Sequence, residues 1–241
     1  MSTETYYPAR LTGEPDEPLS RWLWLVKWIL VIPHIFVLVF LWLALIVTTV
    51  IAGFAILFTG HYPRALFDYA VGVMRWTWRV SYYANGAFAT DRYPPFSLAD
   101  DPSYPATFTV DYPAQLSRGL VLVKWWLLAL PHLIIVAVFA GGWGLGSDDG
   151  RQVAGGGGLI AILAIVAAVI LAVTGKYPRP LFDFLMGLNR WCYRVLAYVA
   201  LMTDQYPPFR LDNGGADPAR PAPDPIPPAP PVNTPVPERV R

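Results

Sequence analysis

Two charged stripes are the strongest candidates for chemistry in this sequence of 241 residues. Each stripe combines an aspartate, a glycine, two arginines and a tyrosine at spacings that place them on one helix face. The members are Asp68, Gly72, Arg75, Arg79 and Tyr83 in the first stripe and Asp183, Gly187, Arg190, Arg194 and Tyr198 in the second. Charges in an apolar setting are costly unless they are paired or used. The stripes therefore indicate either a path or site for an ion, a proton or an anionic headgroup, or an ion-paired seam where glycine lets helices approach closely.

Two histidines, His34 and His132, occupy equivalent positions, each directly after a proline in an apolar run. Paired imidazoles can hold a metal ion or a haem iron, so these two residues are the candidates for a metal site. No carboxylate stands at ligand spacing beside either histidine, and the alternative is that each caps a kinked helix near the membrane interface. On this basis we expect no cofactor.

Several other kinds of chemistry lack the residues that they need. The sequence has no serine–histidine–acid constellation, no HExxH motif and no glycine loop followed by Lys-Ser/Thr, so we expect no enzymatic activity. Lysine and arginine number 18 against 17 acidic residues, which argues against a nucleic-acid partner. The single cysteine, Cys192, excludes internal disulfides and cysteine-based metal clusters.

The composition is that of a membrane protein. Hydrophobic residues make up 55% of the chain and charged residues 15%, whereas about a quarter of a soluble domain is charged. The first 21 residues lack the basic stretch and apolar core of a signal peptide, and an unbroken apolar run follows at residues 22–58. We therefore expect the lipid bilayer to be the main partner and the cytoplasmic membrane to be the location.

The chain is a duplication. The segment YPARLTGEPDEPLSRWLWLVK, which begins at Tyr7, is matched without a gap by YPATFTVDYPAQLSRGLVLVK, which begins at Tyr104. Both halves then contain YPRxLFD, RWxxRV and TDxYPPFxL in the same order. The predicted organisation is a polar tip at 1–6, a first membrane repeat at 7–98, a linker at 99–103, a second repeat at 104–211 with a glycine-rich insertion at 141–158, and a disordered proline-rich tail at 212–241.

Each repeat is predicted to begin with a transmembrane helical hairpin. At 1.5 Å per residue, the apolar run of the first repeat is too long for one crossing of about 30 Å of hydrocarbon. The insertion of the second repeat must lie in water, because its charges and glycines cannot face lipid. We therefore expect helices at 22–41 and 43–58, and at 120–140 and 159–173. Because the second helix of each pair is short, a re-entrant hairpin is the alternative.

The charged stripes fall on a third helix in each repeat, predicted at 64–87 and 180–201. As an interfacial helix, it would hold its guanidinium groups among the lipid headgroups. As a third spanning helix, it would face a polar bundle interior where aspartate and arginine neutralise each other. Two spans per repeat give parallel repeats, whereas three give the inverted repeats typical of secondary transporters.

Further features complete the prediction. Residues 7–12 and 106–112 alternate enough to form short strands that pair the two halves. Lys27 and Lys124, close to tryptophans, are interpreted as anchors whose ammonium groups reach the headgroups. The insertion carries one basic residue, so the positive-inside rule places it outside and, with two spans per repeat, both termini in the cytoplasm. The proline-rich tail has the spacing of segments that dock cytoplasmic proteins.

The motifs YPRxLFD, RWxxRV and TDxYPPFxL together resemble the bacterial membrane-protein family catalogued as domain of unknown function 4389, in two copies. The resemblance covers nearly all of the chain except the tail. It implies a multi-pass integral membrane protein with no assigned activity or catalytic residues. The expected fold is thus an all-α integral membrane protein of two repeats with short β pieces. Its expected role is that of a non-enzymatic scaffold or accessory protein, and the alternative is a small transporter or channel lined by the stripes.

Overall fold

The structure is a computed structural model that describes residues 6–141, 158–214 and 217. This part of the chain is mostly helical, with one small sheet. The elements are β1 Ala9–Gly13, α1 Trp24–Leu30, α2 Ile32–Thr59, α3 Arg64–Tyr83, β2 Ala106–Val110, α4 Arg118–Val123, a π-helical segment Lys124–Leu128, α5 Leu130–Ala140, α6 Leu159–Thr174 and α7 Arg179–Val199.

The two strands join the repeats as the sequence predicts. β1 and β2 pair antiparallel, and Leu11 at the centre of β1 faces Phe108 at the centre of β2. Both side chains are buried against the helices. Leu11 and Phe108 occupy the same position in the two repeats, so equivalent residues meet at the middle of the sheet. A pseudo-two-fold axis that relates the repeats therefore passes between them.

The predicted hairpin of the first repeat is wrong. Helix α2 continues without a bend through Trp42, where the hairpin was expected to turn. No glycine or proline stands near that position, so nothing interrupts the backbone hydrogen bonds of the helix. The break comes earlier, at Val31 between α1 and α2, because Pro33 has no N–H to donate to the preceding turn.

The predicted hairpin of the second repeat is also absent, because α5 and α6 follow one another along α7. His132 and Phe139 of α5 contact Trp191, in the second half of α7. The side chains of α6 pack against the first half of α7, in a cluster formed by Ile160, Ala164, Ala168, Leu185 and Leu188. The backbone of Gly158, before α6, lies directly against Ala140 and Gly141 at the end of α5. The two helices thus take the place of α2, and residues 142–157 of the insertion lie outside the described residues.

The stripe helices α3 and α7 begin where the sequence predicts and end slightly earlier. They run antiparallel to each other: the rings of the equivalent residues Trp78 and Tyr193 are 5.6 Å apart, and Tyr82 near the end of α3 contacts Phe182 near the start of α7. The sheet covers one face of the pair, where the Trp78 indole donates a hydrogen bond of 3.0 Å to the carbonyl of Thr12. Helices α2, α5 and α6 cover the opposite face. The molecule is therefore built in three layers.

The outermost helical layer, formed by α1, α2, α4, α5 and α6 and called the apolar layer below, exposes hydrophobic side chains. Apart from the terminal Thr59, every exposed residue of α2 is apolar. The inner face of α2 carries the residues buried against α3, which are His34, Leu38, Leu45, Ala52 and Ile56. Among the described residues, α2 is the one helix that is long and apolar enough to cross a membrane, by length and composition.

Removal of the insertion tests the end-to-end arrangement of α5 and α6. Deleting residues 142–158 leaves only Gly141 between Ala140 and Leu159. In the first repeat, the equivalent residues Trp42 and Ala44 are likewise separated by one residue of the continuous helix α2. We expect this variant to fold with an unchanged melting temperature, measured by circular dichroism in detergent. Deleting Gly141 as well rotates α6 by about 100° relative to α5 and turns its buried face away from α7. That control should melt at a lower temperature, and equal melting of both variants would contradict the arrangement.

Candidate functional site

The first arginine seam consists of Arg75 and Arg79 on α3 and the residues that they bind. Arg75 donates hydrogen bonds of 2.9 Å to the carbonyl of Phe108 in β2 and of 3.2 Å to that of Leu98. Arg79, which is buried, donates to the carbonyl of Ser97 at 3.4 Å. The carboxylate of Asp100 lies 3.4 Å from Arg75 and 3.6 Å from Arg79. Burial lowers the pKa of both guanidinium groups, and the charge of Asp100 opposes this shift.

The second arginine seam consists of Arg190 and Arg194 on α7 with their partners. Arg190 donates two hydrogen bonds, of 3.1 and 3.2 Å, to the carbonyl of Leu11 in β1 and further bonds to the carbonyls of Asp212 and Gly214. Asp217 is buried between the arginines, 3.2 Å from Arg190 and 2.8 Å from Arg194. Asp212 adds a 2.6 Å ion pair to Arg194. Burial lowers the pKa of Arg190, and the carboxylate of Asp217 opposes that shift.

The two seams fasten each repeat to the strand of the other. Arg75 of the first repeat binds β2, which belongs to the second repeat, and Arg190 of the second repeat binds β1, which belongs to the first. Their acceptors, Phe108 and Leu11, are the pair that faces across the pseudo-two-fold axis. The arginines therefore form an ion-paired seam, with strands and loops as partners instead of a second helix.

The aspartates of the predicted stripes do not neutralise the arginines, which corrects the sequence interpretation. Asp68 is exposed and pairs with Arg64 at 3.1 Å, and Asp183 is half-buried near the start of α7. Asp68 is seven residues from Arg75, which is about 10 Å along a helix and too far for an ion pair. The carboxylates that bind the arginines come from the segments after the TDxYPPFxL motifs.

The stripe glycines also have a different neighbour from the one predicted. A Cβ atom at Gly72 would lie 2.8 Å from the Cβ of Leu98, and one at Gly187 would lie 2.6 Å from the side-chain oxygen of Asn213. These residues belong to the loops that carry the seam carboxylates. Glycine is therefore needed to admit a loop, and the predicted close approach of a second helix at these positions is wrong.

Two lysine sites, one in each repeat, have the same construction. The ammonium group of Lys27 donates to the carbonyl of Thr90 at 2.6 Å and lies 2.9 Å from the carboxylate of Asp91. It also lies 4.8 Å from the centre of the Tyr83 ring, a cation–π distance. The equivalent contacts of Lys124 are with Thr203 at 2.8 Å, Asp204 at 2.7 Å and the ring of Tyr198 at 4.8 Å.

Both lysines are buried, so the predicted headgroup anchors are wrong. A lysine reaches toward headgroups when no closer anion is available. Here the TD dipeptide of each TDxYPPFxL motif supplies a carboxylate and a carbonyl inside the protein. The stripe tyrosines, Tyr83 and Tyr198, complete these sites instead of the arginine seams.

Each histidine is enclosed by aromatic residues of its own repeat. Trp76 donates a hydrogen bond of 3.0 Å to Nδ1 of His34, whose ring stacks on Phe96 with a centroid distance of 3.9 Å. The second repeat has the same arrangement, with Trp191, His132 and Phe209. Because Nδ1 accepts a hydrogen bond, the proton of a neutral imidazole is assigned to Nε2. Within the described ranges, no group of three or more His, Cys, Asp or Glu side chains could hold a metal ion.

Sequence reasoning missed the carboxylates that complete these sites. Asp91 and Asp204 recur at one position of the repeat, so the repetition itself was a signal for them. The seam carboxylates carry no such signal. Asp100 aligns with Asn213 and Asp212 aligns with Ala99, and Asp217 lies beyond the second repeat.

Substitution of Asp204 tests the structural importance of the lysine sites. Asp204→Asn leaves the buried ammonium of Lys124 without its counter-charge, and we expect it to lower the free energy of unfolding by about 2 kcal/mol, less than for a wholly buried pair because Asp204 is partly exposed. Asp68→Asn, in an exposed pair on α3, is the matched control and should change it by less than about 0.5 kcal/mol. Denaturation followed by tryptophan fluorescence measures both. Equal effects of the two substitutions would show that the lysine sites contribute no more than surface pairs.

Comparison with known proteins gives a family and nothing more specific. A family model described as "Domain of unknown function (DUF4389)" matches residues 12–97 and 156–210. No curated protein and no solved structure matches the chain. The two matched segments cover more than half of the sequence and are consistent with two copies of the domain, which confirms the resemblance carried by the repeated motifs. The chain belongs to the DUF4389 family.

Proposed function

We propose that this protein is a non-enzymatic scaffold or accessory protein embedded in the cytoplasmic membrane. The observation that carries the proposal is the exposed face of the apolar layer. The most apolar 18 residues of α2 have a mean hydropathy of 2.9, and 17% of them are buried. The core helix of a soluble protein would be mostly buried, and an exposed apolar surface of this extent in water promotes aggregation. Contact with lipid accounts for both features.

The contacts of the segment around α2 favour its retention in the mature protein. A cleaved signal sequence would remove β1, which precedes α2 and pairs with β2. It would also remove Lys27 and His34, which are bound inside the first repeat. Loss of these residues would leave β2 unpaired and would remove the lysine site and the histidine site of the first repeat. We therefore infer that α2 remains part of the fold.

The bonds of the arginine seams favour a scaffold over the alternative, a small transporter or channel. A path lined by the stripes would need guanidinium groups that face an open, hydrated space. Arg75 and Arg190 instead bind strand carbonyls, and Arg194 binds the carboxylates of Asp212 and Asp217. Groups held in this way fix the fold, and they support a structural role for the stripes.

The start of the tail suggests how a scaffold would reach a partner. Asp217 is held by Arg194 and accepts a hydrogen bond from the backbone N–H of Leu11 in β1. Asp217 therefore lies beside the sheet, on the opposite side from the apolar layer. The predicted docking segment, in residues 218–241, lies outside the described residues. We propose that this tail binds a protein in the cytoplasm, with both termini on that side.

A charge on the apolar layer tests the membrane location. Val47 is exposed at the middle of α2, and Val47→Lys would place an ammonium group in the hydrocarbon, at a cost of about 3 kcal/mol. We expect a lower fraction of this variant in membranes washed with alkaline carbonate. Pro102→Lys, on the exposed loop before β2, is the control and should remain in the membrane. If native protein is released by the wash, the proposed location is wrong.

Reconstitution distinguishes the scaffold from the transporter. We expect liposomes that contain the purified protein to show no ion or proton flux above that of protein-free liposomes. Arg75→Gln should lower the melting temperature, because it removes a donor from the first seam. A flux that is abolished in Arg75→Gln, while this variant stays folded, would replace the scaffold by the transporter.

A further inference from the structure

We propose that the protein enters the membrane from one side only, with the apolar layer lying in a single leaflet and its helices running along the membrane plane. The proposal rests on the membrane location proposed above and goes beyond it, because it replaces the crossings predicted from the sequence. It also names the partner of the apolar layer as the acyl chains and anionic headgroups of that leaflet.

The antiparallel elements define the direction of the pseudo-two-fold axis. The strands are antiparallel, and so are α3 and α7, so an axis that relates their members is perpendicular to them. Two contacts between equivalent residues, Leu11 with Phe108 and Trp78 with Tyr193, lie in successive layers. The axis therefore runs through the layers, from the sheet at one end to the apolar layer at the other.

If the helices crossed the bilayer, the sheet would lie deep in the hydrocarbon. With α3 and α7 along the membrane normal, the axis would lie in the membrane plane and the sheet would lie at mid-depth. Arg75, near the middle of α3, is bonded to the centre of β2. Partly exposed charges beside the sheet, among them Arg10, Asp111 and Asp100, would then meet hydrocarbon. Charged groups and irregular backbone are strongly disfavoured there.

The in-plane orientation places each layer in a medium that suits it. With the axis along the membrane normal, the sheet and its charged loops lie in water, and the apolar layer points into the membrane. One layer of helices is about 10 Å thick, which is within the depth of about 15 Å of one leaflet's hydrocarbon. Interfacial helices of 20 to 30 residues are common, so the length of α2 is compatible with this orientation.

Charge complementarity identifies the rim of the apolar layer as a headgroup contact. Exposed basic residues stand next to the ends of its helices. They are Arg21 before α1, Arg64 after α2, which also pairs with Asp68, Arg118 at the start of α4, and Lys176 and Arg179 after α6. Basic residues around an apolar face favour insertion between anionic lipids. A crossing orientation would instead divide them between the two membrane surfaces.

Depth measurements along α2 test the proposal. In a Cys192→Ser background, nitroxide labels at cysteines replacing Phe36, Val47 and Phe58 sample the exposed face of α2 over about 33 Å. The protein is reconstituted in vesicles of phosphatidylcholine and phosphatidylglycerol, and power saturation with oxygen and a nickel chelate reports the depth. We expect the same depth at all three positions, inside one leaflet. A deep label at residue 47 with shallow labels at 36 and 58 would overturn the proposal in favour of a crossing.

Accessibility in cells provides a second measurement that does not depend on reconstitution. Single cysteines replace Ser20 and His61, on either side of α1 and α2, and Ser103 in the loop before β2, all of which are exposed. We expect an impermeant maleimide to label all three only after permeabilisation, because the proposed cytoplasmic termini place the sheet and its loops on the cytoplasmic side. Opposite labelling of residues 20 and 61 would overturn the one-sided insertion. Recovery of the protein in the soluble fraction would instead refute the membrane location itself.

Discussion

The exchange of arginine contacts between the repeats is the interaction on which the rest of the structure depends. Arg75 and Arg190 find their strand acceptors in the opposite repeat, at Phe108 and Leu11. A buried guanidinium without partners costs several kcal/mol, so α3 and α7 cannot be buried unless both strands are in place. The dependence runs the other way as well, because a two-stranded sheet is marginally stable without a surface to pack on. Helices, strands and loops therefore form one cooperative unit, and neither repeat is expected to fold independently.

The two seams have their arginines at equivalent positions of α3 and α7, but the carboxylates that pair with these arginines differ. In the first, two arginines share the partly exposed Asp100, whereas in the second Asp212 and the buried Asp217 both contribute. Asp217 comes from the segment beyond the second repeat, so the start of the tail is part of the fold. Asp212, Gly214 and Asp217, which the sequence assigned to the tail, are bound to Arg190 of α7 or to β1. The arginines of the two seams therefore occupy equivalent positions in the repeats, whereas their carboxylates do not.

What the sequence could predict depended on whether the information was local or repeated. The stripe helices and the pairing of the strands were predictable, because periodicity and turn residues are local signals and the duplication doubled them. The continuity of α2 was not predictable, because the hairpin was inferred from the length of the apolar run on the assumption that the run crosses a bilayer. The burial of Lys27 was not predictable either, since Asp91 is distant in sequence and the nearby tryptophans suggested an interface. The environments of His34 and His132 likewise depend on aromatic residues that only tertiary folding brings together.

The duplication satisfies two requirements of a fold that has one polar and one apolar face. A single repeat would present β1 with an unpaired edge and Arg190 or Arg75 without a strand carbonyl to bind, both of which are costly when buried. A second copy related by a two-fold axis supplies both partners at once, as in an isologous dimer. Because that axis runs through the layers, it places both apolar surfaces at one end and both sets of polar loops at the other. Covalent linkage then keeps the two halves in register. The polar seams lie between the sheet and the stripe helices, beside the hydrophobic core that includes Leu11, Phe108 and Trp78, so polar and apolar contacts together hold the two repeats in place.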